Sequence, residues 1–377
     1  MTFLADRMQK KKLMFFVFIY LYLFSIFLFA YEISAVSIKT GLLNQSDKFN
    51  KLFELHKKII LLPRKDYNIS TVPKLVAINK HDDFIVLDNF INRQILVFDK
   101  DGRQKAEIGK RGKKPGEYMF PDCLYYNEYL DKYYVYDGDL LKIAIYDGNF
   151  KFDREFNIPL FLESLVVTDK ERFFCYTSGA ATKKGPDKVI YECDKDGRII
   201  NKFCEMSKNY NPLIETKALG VILENNFLFV TTPYEYVIKK YELDGKLVRQ
   251  AKGNSKNYVS PSILTKDEMN RLRNDFFSRK SIHDTFSHIF YLLKLSDNLI
   301  GVLYTSANRK SAFLDLYDLN LNLIESDIDF PMRADGAILV FSKGDFLYRV
   351  ESDNSLNQSL FIYVYKYNRE KIKKINY

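Results

Sequence analysis

Gln94-Ile95-Leu96-Val97-Phe98-Asp99-Lys100-Asp101-Gly102 decides the fold, because its closing phrase returns five more times. An aromatic residue or Cys, an acidic or polar pair, then usually Gly or Asn, recurs at Tyr146-Asp147-Gly148 and Cys193-Asp194-Lys195-Asp196-Gly197. The phrase continues at Tyr241-Glu242-Leu243-Asp244-Gly245, Tyr317-Asp318-Leu319-Asn320 and Tyr365-Lys366-Tyr367-Asn368. The opening residues stand 48, 47, 48, 76 and 48 positions apart. A period in the forties, built from short apolar runs and tight turns, is the sequence form of a radial all-β array. Six units predict an all-β six-bladed β-propeller of four-stranded antiparallel blades.

Each repeat supports that reading strand by strand. A short apolar run such as Leu75-Val76-Ala77-Ile78 is followed by a polar turn and a second run, Phe84-Ile85-Val86-Leu87. The third run ends in the aromatic phrase, and a more polar fourth leads outward. Continuous apolar runs suit strands covered on both faces, and alternating runs suit strands near solvent. Gly102, Gly148, Gly197 and Gly245 are read as structural repeat positions, because a tight hairpin needs a positive φ that Gly adopts without steric cost. Asn320 and Asn368 are assigned the same place in repeats five and six. Asp88 and Asp137, which end second strands, are expected to hold the bend into the third. The 15% aromatic content, 27 Tyr and 31 Phe without Trp, fits half-buried pleated surfaces.

The first 58 residues have a different character. They carry nine Lys/Arg against four Asp/Glu, more than half of the net charge of +9. Leu13–Ala30 is an uncharged apolar run of 18 residues, ~27 Å long as a helix, close to the ~30 Å hydrocarbon core. Arg7, Lys10, Lys11 and Lys12 precede it, which predicts a cytoplasmic tail over 1–12 and everything after the run outside. Residues 13–30 are therefore expected to be a transmembrane anchor or, if cleaved, a secretory signal. No Cys follows the run to carry a lipid. Residues 31–57 read as a tether, and 58–377 as the propeller, membrane-anchored or secreted, in the periplasm or at the cell surface. The body is only mildly basic, with no groove-entering or stacking element, so no nucleic-acid partner is expected.

The wide fourth gap holds about 28 extra residues, placed at 254–288 as a short helical insertion between blades four and five. Thr265-Lys266-Asp267-Glu268 is a capping box, and Met269, Leu272, Phe276 and Phe277 follow as an apolar face. An open ring would leave two bare strand edges. Lys58–Leu62 is the candidate closing strand, expected to pair on the last blade beside residues 371–376.

The segment Asp88-Asn89-Phe90-Ile91-Asn92-Arg93-Gln94 through Phe98-Asp99-Lys100-Asp101-Gly102 resembles an NHL repeat. Its features are a strand ending in Asp, an Asn-Arg pair, an apolar strand and a Phe-Asp-x-x-Gly turn. Ile108-Gly109-Lys110-Arg111-Gly112-Lys113-Lys114-Pro115-Gly116-Glu117-Tyr118 is similar to the Gly-rich joint between NHL-type blades. The resemblance is to bacterial extracytoplasmic six-bladed propellers. It implies fold and compartment, with protein or ligand binding as the common role.

No catalytic residues and no cofactor are assigned. Gly109–Gly116 lacks the Gly-Lys-Ser/Thr ending and following helix of a phosphate loop, so Pro115-Gly116 is read as a type II turn. Lys110, Arg111, Lys113 and Lys114 form the densest basic cluster, and with Arg93 they are the candidate ligand-binding residues. The four histidines (His56, His81, His283, His288) suit no tunnel-lining zinc site, and no metal ligand is assigned. Asn79, Asn127, Asp169, Glu224 and Asp297 follow inner strands and are read as turn residues ahead of a carboxylate calcium site. Cys123, Cys175, Cys193 and Cys204 fit no metal spacing, leaving one disulfide or unpaired core thiols. The function expected is a non-enzymatic binding or scaffold module with a protein or glycan partner at one mouth of the ring. The alternative is a metal-dependent lyase or lactone hydrolase working in the central tunnel.

Overall fold

A computed structural model describes residues 47–64, 73–89, 92–177, 187–208, 220–232, 234–262, 265–274, 284–296, 298–332, 339–352, 360–368 and 370. The expected anchor, 13–30, lies outside these residues, and no helix among the described ones is long and apolar enough to cross a membrane. Six four-stranded antiparallel sheets form. Blade one is β2 (Leu75–Ile78), β3 (Phe84–Asp88), β4 (Gln94–Phe98) and β5 (Gln104–Glu107). A two-residue pair, β6 (Lys110–Arg111) and β7 (Glu117–Tyr118), joins it to blade two: β8 (Pro121–Asn127), β9 (Lys132–Asp137), β10 (Lys142–Asp147) and β11 (Phe152–Asn157). Blade three is β12 (Ser164–Val167), β13 (Phe173–Tyr176), β14 (Lys188–Cys193) and β15 (Ile199–Glu205). Blade four is β16 (Val221–Glu224), β17 (Phe227–Thr232), β18 (Glu235–Glu242) and β19 (Leu247–Lys252). Blade five is β20 (Ile289–Ser296), β21 (Leu299–Thr305), β22 (Ala312–Asp318) and β23 (Leu323–Phe330). Blade six takes three strands from the C-terminal end, β24 (Val340–Lys343), β25 (Phe346–Ser352) and β26 (Leu360–Tyr367), and its fourth, β1 (Phe53–Leu61), from the N-terminal end. Each blade's first strand touches the first strand of the next, around to β24 against β2, so the ring is closed.

Closure comes from an earlier and longer strand than Lys58–Leu62. β1 pairs antiparallel with β26, from Phe53 opposite Tyr367 to Leu61 opposite Leu360, and not with residues 371–376, which lie outside the described residues. A helix, α1 (Asp47–Leu52), precedes it, so ordered structure begins inside the stretch read as tether. Phe49 is fully buried and packs on Phe53, Phe330 and Tyr365, pinning the helix between blades five and six. Lys48 adds an ion pair to Glu325 on β23.

In five of its six copies the recurring phrase is a hairpin with a bulge; the sixth ends β26, whose outer neighbour is β1, so Asn368 turns no hairpin and instead donates its N–H to Leu52 O (2.9 Å), which corrects its assignment. Gly102 N–H donates to Asp99 O, Asp99 N–H to Arg103 O, and the ladder slips at Phe98. One carboxylate oxygen of Asp99 also accepts from the amides of Asp101 and Arg103, 2.9 Å each. Asp147, Asp194 and Asp318 repeat that arrangement. The backbone amides hold the carboxyls of Asp99 and Asp194 below the usual range. The fourth position of the phrase takes the left-handed conformation that such a bulge requires. Gly102, Gly197 and Gly245 hold it, but so do Phe150 (φ 67°) and Leu321 (φ 60°). Asn320 is one place short of it and Gly148 two, which corrects their assignment. Gly148 is needed for room instead: a Cβ there would lie 2.0 Å from the Asp131 carboxylate.

Blades are joined by apolar faces and by polar contacts at each junction. On the outer rim Arg154 reaches Lys195 O (2.8 Å), Asn201 reaches Asp244 O (2.9 Å) and Arg249 reaches Asn322 (2.8 Å). Near the axis Lys343 ties blade six to Asn79 O (2.7 Å), and Asn127 ties blade two to Val167 O (2.8 Å). All four cysteines are buried free thiols, three of them (Cys123, Cys175, Cys193) in the core between blades two and three.

The segment following β19 is fastened to blade five by a buried cluster. Asp315 accepts from the Tyr236 hydroxyl and from the amide of Asp327 (2.7 Å), with the Tyr304 hydroxyl 3.2 Å away. Asp327 accepts from Ser255 (2.6 Å) and Asn257 (2.8 Å). Burial pushes the Asp315 carboxyl up to about 6. For Asp327 the donors outweigh burial and hold it low. Further on, Lys266–Asn274 forms a nine-residue helix, α2, with Thr265 N–H donating to Glu268 (2.7 Å) and Glu268 N–H to the Thr265 hydroxyl (3.3 Å). Phe276 and Phe277 lie outside the described residues.

Two outcomes follow from this construction. Deleting Phe53–Leu61 exposes one whole edge of β26 and is expected to abolish the cooperative thermal transition. Phe49→Ala is expected to cost about 3–5 kcal/mol in urea unfolding. A deletion protein melting at the wild-type temperature would remove the closure account. Asp315 binds its proton more tightly folded than unfolded, so its stabilising contribution is full below pH 3.8 and lost as pH rises through about 6. At most about 3 kcal/mol is involved. Thus Asp315→Asn should gain melting temperature relative to wild type between pH 4 and pH 7; a pH-independent difference would contradict the assignment.

Candidate ligand-binding face

Successive hairpins alternate between the two ends of a blade, so the ring has two different faces. The Asp-capped hairpins, together with the turns joining first to second strands, form one, here the turn face. The connections between blades and the turns from second to third strands form the other, the joint face. Asp88, Arg93 and Asp137 belong to the joint face; the loop bearing Lys110, Arg111, Lys113 and Lys114 starts and ends there, and its Gly116 tip packs on Phe152 at the hairpin end of β11.

The loop from Ile108 to Phe120 is shaped by packing and backbone bonding. Ile108 N–H donates to Ile95 O (3.0 Å), and Glu117 N–H to Lys114 O (2.9 Å), closing a turn with Pro115 second and Gly116 third. Gly116 has φ +72°, as a type II turn requires, and a Cβ there would meet the Phe152 ring at 2.7 Å. Both its backbone polar groups are engaged: its N–H donates to Glu155 (3.1 Å), and its carbonyl accepts from the Tyr146 hydroxyl (3.0 Å). Glu155 is itself held by the buried Lys142 (2.8 Å). The Glu117 carboxylate accepts from the Lys114 amide (3.0 Å), which holds it below the ordinary range, and Lys110 lies 3.5 Å away. The loop's form is thus determined by Tyr146, Phe152, Glu117 and Glu155, not by its cations.

The cations themselves divide. Lys110 is paired with Glu117. Arg93 lies over the Phe120 ring (5.0 Å) and 3.9 Å from Asp139, so its charge is met locally. Arg111, Lys113 and Lys114 are exposed, and among the described residues none of them forms an ion pair, although the Lys114 charge acts on Glu117. Three positive charges within four residues, on a loop held to blade two, form an electropositive point between blades one and two.

Asp137 is buried and accepts from the amides of Met119 (2.6 Å), Phe120 (3.2 Å), Asp139 (2.9 Å) and Leu140 (3.1 Å). It therefore holds both the bend after β9 and the incoming end of the basic loop. Asp88, also fully buried, receives Asn92 at 3.4 Å in the equivalent bend. On the turn face Asn79 caps its own turn through the amides of His81 and Asp83 (2.9 Å each), and Asn127 accepts from Leu130 N–H (3.0 Å). In blade three Thr168, not Asp169, has that task, accepting from the amides of Lys170 (3.3 Å) and Arg172 (3.1 Å). Glu224 pairs with Lys294, and Asp297 lies outside the described residues. Among the described residues no three His, Cys, Asp or Glu side chains converge as metal ligands. The supporting roles of Glu117, Glu155 and Tyr146 escaped the sequence reading, because their partners lie on other strands and no local spacing announces them.

None of the curated proteins matches this chain. Two solved structures are similar over most of their length. A candidate exported protein of Bacteroides fragilis is 17% identical, with a TM-score of 0.63 over 85% of this chain and 96% of its own. A member of the DUF4221 family from Bacteroides vulgatus is 10% identical, with a TM-score of 0.60 over 84% of this chain and 98% of its own. At such identities the likeness concerns the fold. A family model described as a 6-bladed beta-propeller, DUF5128, matches residues 34–326. With the ring and its blades in view, the chain belongs to the DUF5128 family of six-bladed β-propellers.

Proposed function

We propose that this propeller is an extracytoplasmic binding module, tethered through residues 13–30, that recognises an acidic protein or glycan through the basic loop between blades one and two. The observation that carries the reading is the preorganised loop at 108–120 with Arg111, Lys113 and Lys114 exposed and in no ion pair among the described residues. A loop already fixed in shape loses little conformational entropy on binding, so its charges act at nearly full value. Positive charge on an exposed site also speeds encounter with an anionic partner, over a range of about 8–10 Å at physiological salt. The NHL-like phrase of blade one accords with a recognition role, and the exported character given to the Bacteroides fragilis neighbour accords with the compartment.

The test uses poly-L-glutamate as the acidic protein probe and polygalacturonate as the acidic glycan probe. Wild type is expected to retain at least one of them at low salt and release it at high salt. Arg111→Glu/Lys113→Glu/Lys114→Glu should abolish retention while the melting temperature stays unchanged. Equal retention by the triple variant would locate binding elsewhere and reject this loop. A rise in melting temperature with calcium that EDTA reverses would instead favour the metal-dependent lyase or lactone-hydrolase alternative.

A further inference from the structure

The outer strands present an apolar arc on the turn face. Ile199 and Ile200 in blade three (42% and 59% exposed), Leu247 and Val248 in blade four (47% and 46%), and Leu323 in blade five (42%) open their strands just past the capped hairpin. Ile199, Leu247 and Leu323 occupy one equivalent position, opposite Cys193, Tyr241 and Tyr317. Leu55 (54% exposed) continues the arc on β1. In blades one and two the equivalent residues are Gln104 and Phe152, the latter turned against Tyr146 and Gly116, so the arc covers four adjacent blades. The blades that carry it are tied to one another beside it: Asn201 bonds the blade-four hairpin, Arg249 bonds the blade-five hairpin, and Lys48 of α1 pairs with Glu325 on β23. Aliphatic side chains recurring at one place in successive blades form an exposed patch that calls for a partner.

Where the chain enters the ring indicates which partner. α1 sits at this same rim, because β1 begins opposite Tyr367, at the turn-face end of β26. The apolar run 13–30 lies only residues 31–46 away, a stretch that spans no more than about 55 Å when fully extended. The arc is therefore held within reach of any bilayer that receives the run. Its charges are nearly balanced: Lys195, Arg198, Lys246 and Arg249 stand among Asp194, Asp196, Glu242 and Asp244. Contact would thus rest on aliphatic insertion and need no anionic lipid.

We propose that the turn-face rim of blades three to six rests on the lipid surface in which residues 13–30 are anchored, leaving the joint face turned outward. This rests on the tethered reading above, and one experiment separates the two. Full-length chain carrying Val248→Cys or, as control, Asp139→Cys in the exposed joint-face turn of blade two is labelled with an environment-sensitive fluorophore; the four native thiols are buried and do not react. It is reconstituted into phosphatidylcholine vesicles with or without nitroxide-bearing lipid, then floated. The expected result is flotation, with blue-shifted, nitroxide-quenched emission at position 248 and unquenched emission at 139. Adding Ile200→Asp and Leu247→Asp should release the quenching at 248 while flotation persists. Flotation with position 248 as unquenched as 139 would overturn the docking and leave the tether standing. Failure to float would overturn both. A blue shift that grows with protein density but is not quenched by nitroxide lipid would assign the rim to a second copy and also overturn the proposal.

Discussion

The ladder between Phe53–Leu61 and Leu360–Tyr367 is the constraint on which the rest depends. Every blade buries both faces against neighbours, so no blade has a complete core until the ring shuts. Only here does a blade draw strands from both ends of the chain. The largest apolar cluster lies at this seam, running from Phe49, Phe53 and Leu61 through Tyr365 to Phe84 of blade one and Leu314 of blade five. The hydrogen bonds of β1 satisfy an edge that would otherwise be open to other chains. Pairing of such distant segments comes at a large loop-closure cost, so the seam is expected to form late in folding.

Much of this architecture was legible because its physics is local. The phrase ending the third strand of blades one to five encodes a bulged hairpin within five residues, and all five of these copies carry an acidic residue at its first turn position. What misled the reading was treating Gly as the signal itself. The bulge needs a left-handed residue at the fourth position, and packing supplies one where Gly is absent. Leu321 is buried in the same core cluster as Tyr304 and Phe313, and Phe150 packs at a tilt against Tyr133. Apolar burial there offsets the backbone strain. The closing strand was legible as apolar, but its register was not, because alternation over 53–61 fails at Leu55 and Lys57, where the ladder slips. The Phe49 contact that pins α1 to blade five is invisible to any local pattern.

The two faces differ in how they use charge. On the turn face the acidic groups cap their own hairpins or enter ion pairs, Lys132 meeting Asp153 within blade two (3.1 Å) and Glu171 across to blade three (3.3 Å). Those carboxylates and amines are committed to holding the ring together. The joint face is assembled from connections of unequal length, so its residues are free to vary in kind. The basic loop illustrates this: its neighbours Glu117 and Glu155 are bound to backbone amides and to Lys142, leaving them little capacity to neutralise Arg111, Lys113 and Lys114.

That partition bears on why the cations stand where they do. A positive cluster costs little in a solvated loop, but it would destabilise a blade interface, where desolvation makes an unpaired charge expensive. The loop is tolerated because its shape rests on groups other than the cations: the Gly116 carbonyl on Tyr146, the Gly116 amide on Glu155, and the incoming amides on Asp137. Charge and scaffold are therefore separable here. A residue that could be replaced without disturbing the fold, yet stands outside any ion pair on a rigid support, makes its contribution outside the molecule.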